Sequence, residues 1–183
     1  MARRPDLPVI YPRLAYRARQ FWNALLIPER RIPSEAILPY LTTTQLVLFR
    51  QMPPSEQVHA FHVFQNLETA GHADSDLLAA ALLHDVGKIL SPLSIFDRVI
   101  VVLGRHFFPK AARRWGGGMP RGLRRPFVVA ACHAEWGADL VEQSGASRRT
   151  VELIRCHQNP PNPKPASRTE RLLAVLQAVD DEN

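Results

Sequence analysis

Cysteine is nearly absent: the 183 residues contain two. Cys132 and Cys156 form no CxxC pair and offer no disulfide framework, so reduced thiols in a cytosolic protein are the expectation. No early stretch has the basic, apolar, small-residue order of a signal peptide. No segment is apolar for long enough to span a bilayer; the nearest, residues 99–103, is short and flanked by Arg98 and Arg105. A cytoplasmic protein without a transmembrane segment is therefore expected. Alternation at period two is missing over any length that would demand a sheet, and no internal repeat is visible. Acidic residues are missing between positions 98 and 125, where Arg98, Arg105, Lys110, Arg113, Arg114, Arg121, Arg124 and Arg125 stand.

What is present is globular material with a basic bias. Hydrophobic residues make up 46% of the chain, and its length suits one domain with volume for a core. The formal net charge is +6, and Arg3, Arg4, Arg13, Arg17 and Arg19 add to the central cations. Such a field raises the local concentration of anions. It reads first as a solvated surface, then as an attraction for nucleotides or nucleic acid, and last as an adsorption site for anionic membrane.

Proline and glycine divide the chain into helices. A first helix is expected over residues 12–26, then an irregular lead-in marked by Pro28, Pro33 and Pro39, then a short helix over 41–52 stopped by Pro53 and Pro54. Ser55 reads as the N-cap of a helix carrying His59, and Asp74 or Ser75 as the cap of the next. The apolar run over residues 95–108 reads as core packing, not as a membrane anchor. Residues 113–126, with Gly116, Gly117 and Gly118, read as a loop. Helices are expected through His133, from Ser147 to His157, and over 167–181. The fold class is all-α: a single-domain helical bundle. Residues 1–54 form a helical lead-in packed on the core, and 55–183 the functional domain, with a basic loop at 104–126.

Five residues carry most of the chemistry: His84-Asp85-Val86-Gly87-Lys88. They close an apolar run, residues 77–83, that reads as a buried helix. A His, an Asp and a Lys are costly to bury without partners; the usual partners are a metal ion and an anionic substrate. Adjacent helical residues point about 100° apart, so His84 and Asp85 can approach one metal only near a helix end, where other elements add ligands. Lys88 lies one turn beyond His84 on the same face. A cation beside a metal suits a phosphate.

Further segments accompany this one. Upstream stands Val58-His59-Ala60-Phe61-His62-Val63; downstream come Cys132-His133-Ala134-Glu135, Ile154-Arg155-Cys156-His157-Gln158 and an apolar helix closing on Val179-Asp180. Together, over roughly residues 55–181, they resemble the HD metal-dependent phosphohydrolase superfamily in its HD-[IV]-G-K variant. The resemblance implies an HD-type bundle with the metal site in its centre. It implies that His59, His84, Asp85 and Asp180 hold one metal and His133 and His157 a second, with Asp85 bridging. Imidazole with carboxylate suits Mn, Fe, Co, Ni or Zn better than Ca or Mg, so one or two divalent transition-metal ions are the expected cofactor. It implies a metal-activated water attacking a phosphate ester or anhydride, with Asp85 and Lys88 as catalytic residues and Lys88 and Arg98 as substrate-binding ones.

The expected substrate is a phosphorylated, nucleotide-like small molecule: a nucleotide, a cyclic dinucleotide or a dinucleoside polyphosphate. Two other readings stay open. One is a phosphodiesterase on single-stranded nucleic acid, with Trp115 as its stacking aromatic. The other is a non-catalytic sensor of metal and nucleotide. Members that degrade cyclic-di-GMP carry paired histidines and a Gly-Tyr-Pro motif, and their three-metal forms add a carboxylate one turn before the first His. This chain has Cys156-His157, no such motif, and Ser55 with Glu56 beside it. His62, His72 and His106 read as hydrogen-bonded core or surface residues. Asp180 is preferred to Asp181 because it directly follows the apolar face of Leu173, Leu176 and Val179. Glu135 reads as a cap or as a partner of a metal ligand.

Overall fold

Local stop and start signals account for most of the helix boundaries in the computed structural model, which describes residues 32–182. The helix expected over residues 12–26 lies outside them. The described residues form one compact unit. Every regular element there is helical. A single turn, α1 (Ser34–Ile37), precedes α2 (Thr43–Gln51), which opens on a reciprocal cap between Thr42 and Gln45. Helix α3 (Pro54–Thr69) starts two residues earlier than expected. Ser55 is not its cap: Pro54 occupies the first helical position, where its fixed φ and missing N–H suit a helix start. Helix α4 (Ser75–Leu83) is capped by Asp74, whose carboxylate accepts from the Asp76 and Leu77 amides at 3.0 and 3.1 Å. A 3₁₀ turn, Val86–Leu90, follows.

Helix α5 (Ile95–Phe107) opens on a reciprocal cap between Ser94 and Asp97, and α6 (Pro109–Trp115) on a proline. A second 3₁₀ turn, Gly122–Arg124, leads into α7 (Arg125–Gln143). Ser147 caps α8 (Arg148–Cys156), and α9 (Arg168–Glu182) ends the described chain. The basic segment 104–126 is therefore not a loop throughout. It includes the last turn of α5 and all of α6, because Pro109 starts a helix and the Ala and Arg that follow propagate one.

Helix α4 is the centre. All seven residues from Leu77 to Leu83 are buried, as a helix that is apolar all round requires. Helices α2, α3, α8 and α9 pack around it. Each of its buried leucines contributes about 1.5–3 kcal/mol by leaving water. Ile37, Leu41, Leu46, Phe49 and Met52 belong to the same core. A smaller cluster, Val101, Ala112 and Phe127, joins α5, α6 and α7. The expectation that residues 95–108 pack into the core fails: only Val101 and Gly104 of α5 are buried, and Phe96, Ile100, Leu103 and Phe107 face outward. The small cluster takes up one face of the helix and leaves the other in solvent.

Candidate metal centre

Five elements deliver the candidate ligands. Helix α3 carries His59, α7 carries His133 and α9 carries Asp180. His84 and His157 sit at the C-caps of α4 and α8. Each donates its Nδ1–H to a carbonyl of its own last turn, His84 to Ala81 at 2.9 Å and His157 to Ile154 at 2.7 Å. Helix ends leave such carbonyls without intrahelical partners, so the cap both satisfies the backbone and aims the ring. Asp85 follows with φ −96° and ψ 3°, the bridge conformation common at active sites, and turns the chain out of α4. Gly87 lets this turn lie against α7: a Cβ there would overlap the His133 carbonyl and the Gly137 amide.

The ligands fall into two groups, His59 with His84 and Asp180, and Asp85 with His133 and His157. In the first, Asp180 Oδ1 lies 2.8 Å from His59 Nε2 and 3.4 Å from His84 Nε2. In the second, Asp85 Oδ1 lies 3.2 Å from His133 Nε2. Asp85 also reaches the first group: its Oδ2 lies 3.4 Å from His84 Nε2 and 3.9 Å from His59 Nε2. One carboxylate thus offers an oxygen to each group. His62, His72 and His106 belong to neither, and Asp181 is exposed.

The donor set fits a metal. His133 Nδ1 lies 2.9 Å from the Val129 carbonyl, which completes the pattern set by His84 and His157. A carbonyl only accepts, so each Nδ1 carries the proton and each Nε2 is a bare lone pair in the neutral ring. All three Nε2 atoms are buried without a hydrogen-bond partner. A lone pair facing a carboxylate oxygen in a dry site is repulsive; a divalent cation between them makes both contacts favourable. Asp85 and Asp180 bring negative charge that needs a counter-charge; here the ring of His84 supplies it, and a bound cation would take its place and leave that ring neutral. Burial disfavours charge on His84, yet Asp85 and Asp180 hold its imidazolium well above the usual histidine range. Burial works against ionised Asp85 and Asp180 too, but Lys88 and His84 hold the first well below the usual carboxylate range, and His84 and His59 hold down the second. Burial, reinforced by His84, lowers His157 to about 3, so it stays a neutral donor.

The family model of the HD domain matches residues 58–181. The chain belongs to the HD domain family. No curated protein and no solved structure matches it.

Two residues of this HD site escape sequence reading. Glu56, one helical turn before His59, is 2% exposed. It accepts from Lys88 Nζ at 2.9 Å and pairs with Arg98, while Lys88 donates to Asp85 Oδ2 at 2.7 Å. Arg98 also donates to Ser55 Oγ at 3.2 Å. Lys88 thus spans two carboxylates, and their charges raise its pKa against the effect of burial. Gln177, one turn before Asp180, donates to the His157 and Asn159 carbonyls at 3.1 and 2.8 Å, which ties the end of α8 to α9. A polar residue on an otherwise apolar stripe was its only signal. Two expectations are corrected. Glu135 lies outside the HD site, exposed and paired with Arg155, because its side of α7 meets α8 at the surface. Trp115 ends a helix and packs edge-on against Phe127 at 5.2 Å.

Proposed function

We propose that this HD protein hydrolyses a phosphate ester or anhydride of a nucleotide-like substrate at the centre formed by His59, His84, Asp85, His133, His157 and Asp180. Family membership implies metal-dependent phosphohydrolase activity in general. The observation that carries the reading is the convergence of three buried, partnerless imidazole Nε2 atoms on two carboxylates. One or two divalent transition-metal ions held there would supply Lewis acidity and a water of lowered pKa. Asp85 presents one oxygen to each ligand group. Lys88 keeps Asp85 ionised and adds a positive charge beside it for non-bridging phosphate oxygens. Arg98, about one-third exposed, extends that cationic edge towards solvent and is assigned to substrate binding.

The functional domain in this reading is 55–183, with 1–54 as a lead-in. A cytoplasmic setting belongs to it as well, with Cys132 and Cys156 as separate thiols in a reducing compartment. The basic segment favours a second reading, phosphodiester cleavage in single-stranded nucleic acid. Trp115, the stacking aromatic of that reading, is half-buried and packs edge-on against Phe127. The complete ligand set favours an enzyme over a non-catalytic sensor.

Asp85→Asn is the test. Elemental analysis of the parent, purified without chelator, is expected to find about two equivalents of transition metal. The variant is expected to lose metal and to hydrolyse chromogenic phosphate esters about a hundredfold more slowly, or less, with added Mn. Its far-ultraviolet circular dichroism should be unchanged. Full activity in the variant overturns the mechanism.

A further inference from the structure

Helix α5 has an apolar face that the folded unit leaves in solvent. Phe96, Ile100, Leu103 and Phe107 follow one another at spacings of four, three and four, which stacks them on a single side of the helix. All four are exposed, Phe96 to 79%. Met119 and Leu123 in the segment after α6 are exposed too, Leu123 to 87%. Scattered exposed leucines need no explanation, but a continuous apolar stripe marks an interface.

The charges around the stripe say what it meets. Lys110, Arg113 and Arg114 on α6, and Arg121 and Arg124 on either side of Leu123, are exposed, and no acidic residue lies between positions 98 and 125. We propose that the outer face of α5, with Met119 and Leu123 in the segment that follows α6, docks on the surface of a bilayer containing anionic phospholipid. The apolar stripe enters the headgroup boundary and the cations meet lipid phosphates. The helix lies in the interface and does not cross it. Its 13 residues rise about 20 Å, short of the roughly 30 Å hydrocarbon core, and Arg98 and Arg105 interrupt it.

Other occupants fit less well. A second copy related by a two-fold axis would set these cations against themselves. Residues 1–31 hold seven arginines against Asp6 and Glu29, so that segment is cationic as well. Nucleic acid would match the cations but leave Ile100 and Leu103 without a role. The inference goes beyond the catalytic reading and does not rest on it, although both share α5: Arg98 in its first turn reaches Glu56 and Ser55.

Vesicle co-sedimentation of the full chain tests it. The parent is expected to sediment with phosphatidylcholine vesicles that contain phosphatidylglycerol, and not with phosphatidylcholine alone, with binding weakened by salt. Ile100→Asp combined with Leu103→Asp should lower binding by about tenfold or more while metal content and helicity stay as in the parent. Arg113→Ala with Arg114→Ala should lower it by roughly tenfold and flatten its salt dependence. A parent that ignores phosphatidylglycerol, or a double-aspartate variant that binds like the parent, overturns the proposal. So does failure to bind vesicles combined with a variant that loses self-association, oligonucleotide binding or thermal stability. Those three results assign the face to a second copy, to nucleic acid or to the chain itself.

Discussion

Asp85 touches both ligand groups and Lys88 at once, so its ionisation decides the character of the whole site. Lys88 was legible as a cation one turn from His84. Its clamp was not, because Glu56 stands 32 residues away, and a glutamate in the first turn of a helix reads as a solvated partner of the helix dipole. The clamp has a consequence for stability. Lys88→Met removes the cation shared by two buried carboxylates, leaving Glu56 with Arg98 alone and Asp85 without its lysine. The variant is expected to lose about 2–5 kcal/mol in chemical denaturation and to turn over more slowly. Adding Glu56→Gln should recover part of that stability, as a double-mutant cycle would show. A Lys88→Met protein as stable as its parent would contradict the clamp.

Among elements, those with side-chain caps were the most legible. Asp74 and Ser147 stand where their helices begin, because the cap bonds are made within a few residues. Burial pushes the Asp74 pKa up, but the Leu77 amide, Arg168 and the Asp76 amide hold it below the usual carboxylate range. A carboxylate with a lowered folded-state pKa stabilises fully above its unfolded value, about 3.9, and that stability is lost as pH falls through the folded value. Asp74→Ala should therefore cost about 1 kcal/mol at neutral pH, and its difference from the parent should shrink in acid below about pH 3. Urea titrations at the two pH values measure this; a difference independent of pH would mean that the ionised carboxylate is not the cap. Helix α5 shows the limit of periodic reading. Spacing identifies an apolar face but not whether another element covers it.

At the scale of the molecule, α3, α7, α9 and the ends of α4 and α8 meet at one centre, so occupancy of that centre should reinforce the packing of the bundle. A ligand at a hundred times its Kd stabilises by about 2.7 kcal/mol. Chelation is therefore expected to lower the thermal midpoint by roughly 5–10 °C, with recovery on adding Mn. An unchanged midpoint in protein shown to have lost its metal would mean that the ligands are held by packing alone. What the sequence determined by itself was the all-helical class, most helix boundaries, and residue types able to bind metal in segments resembling an HD domain. Those follow from periodicity, capping and donor chemistry, which act within a few residues. The resemblance also implied the division of the ligands around Asp85; tertiary structure alone decided the Glu56–Lys88–Arg98 chain, the Gln177 tie and the exposure of α5. Each depends on which faces of distant helices pack together, and that is set by the volume and shape of the whole core.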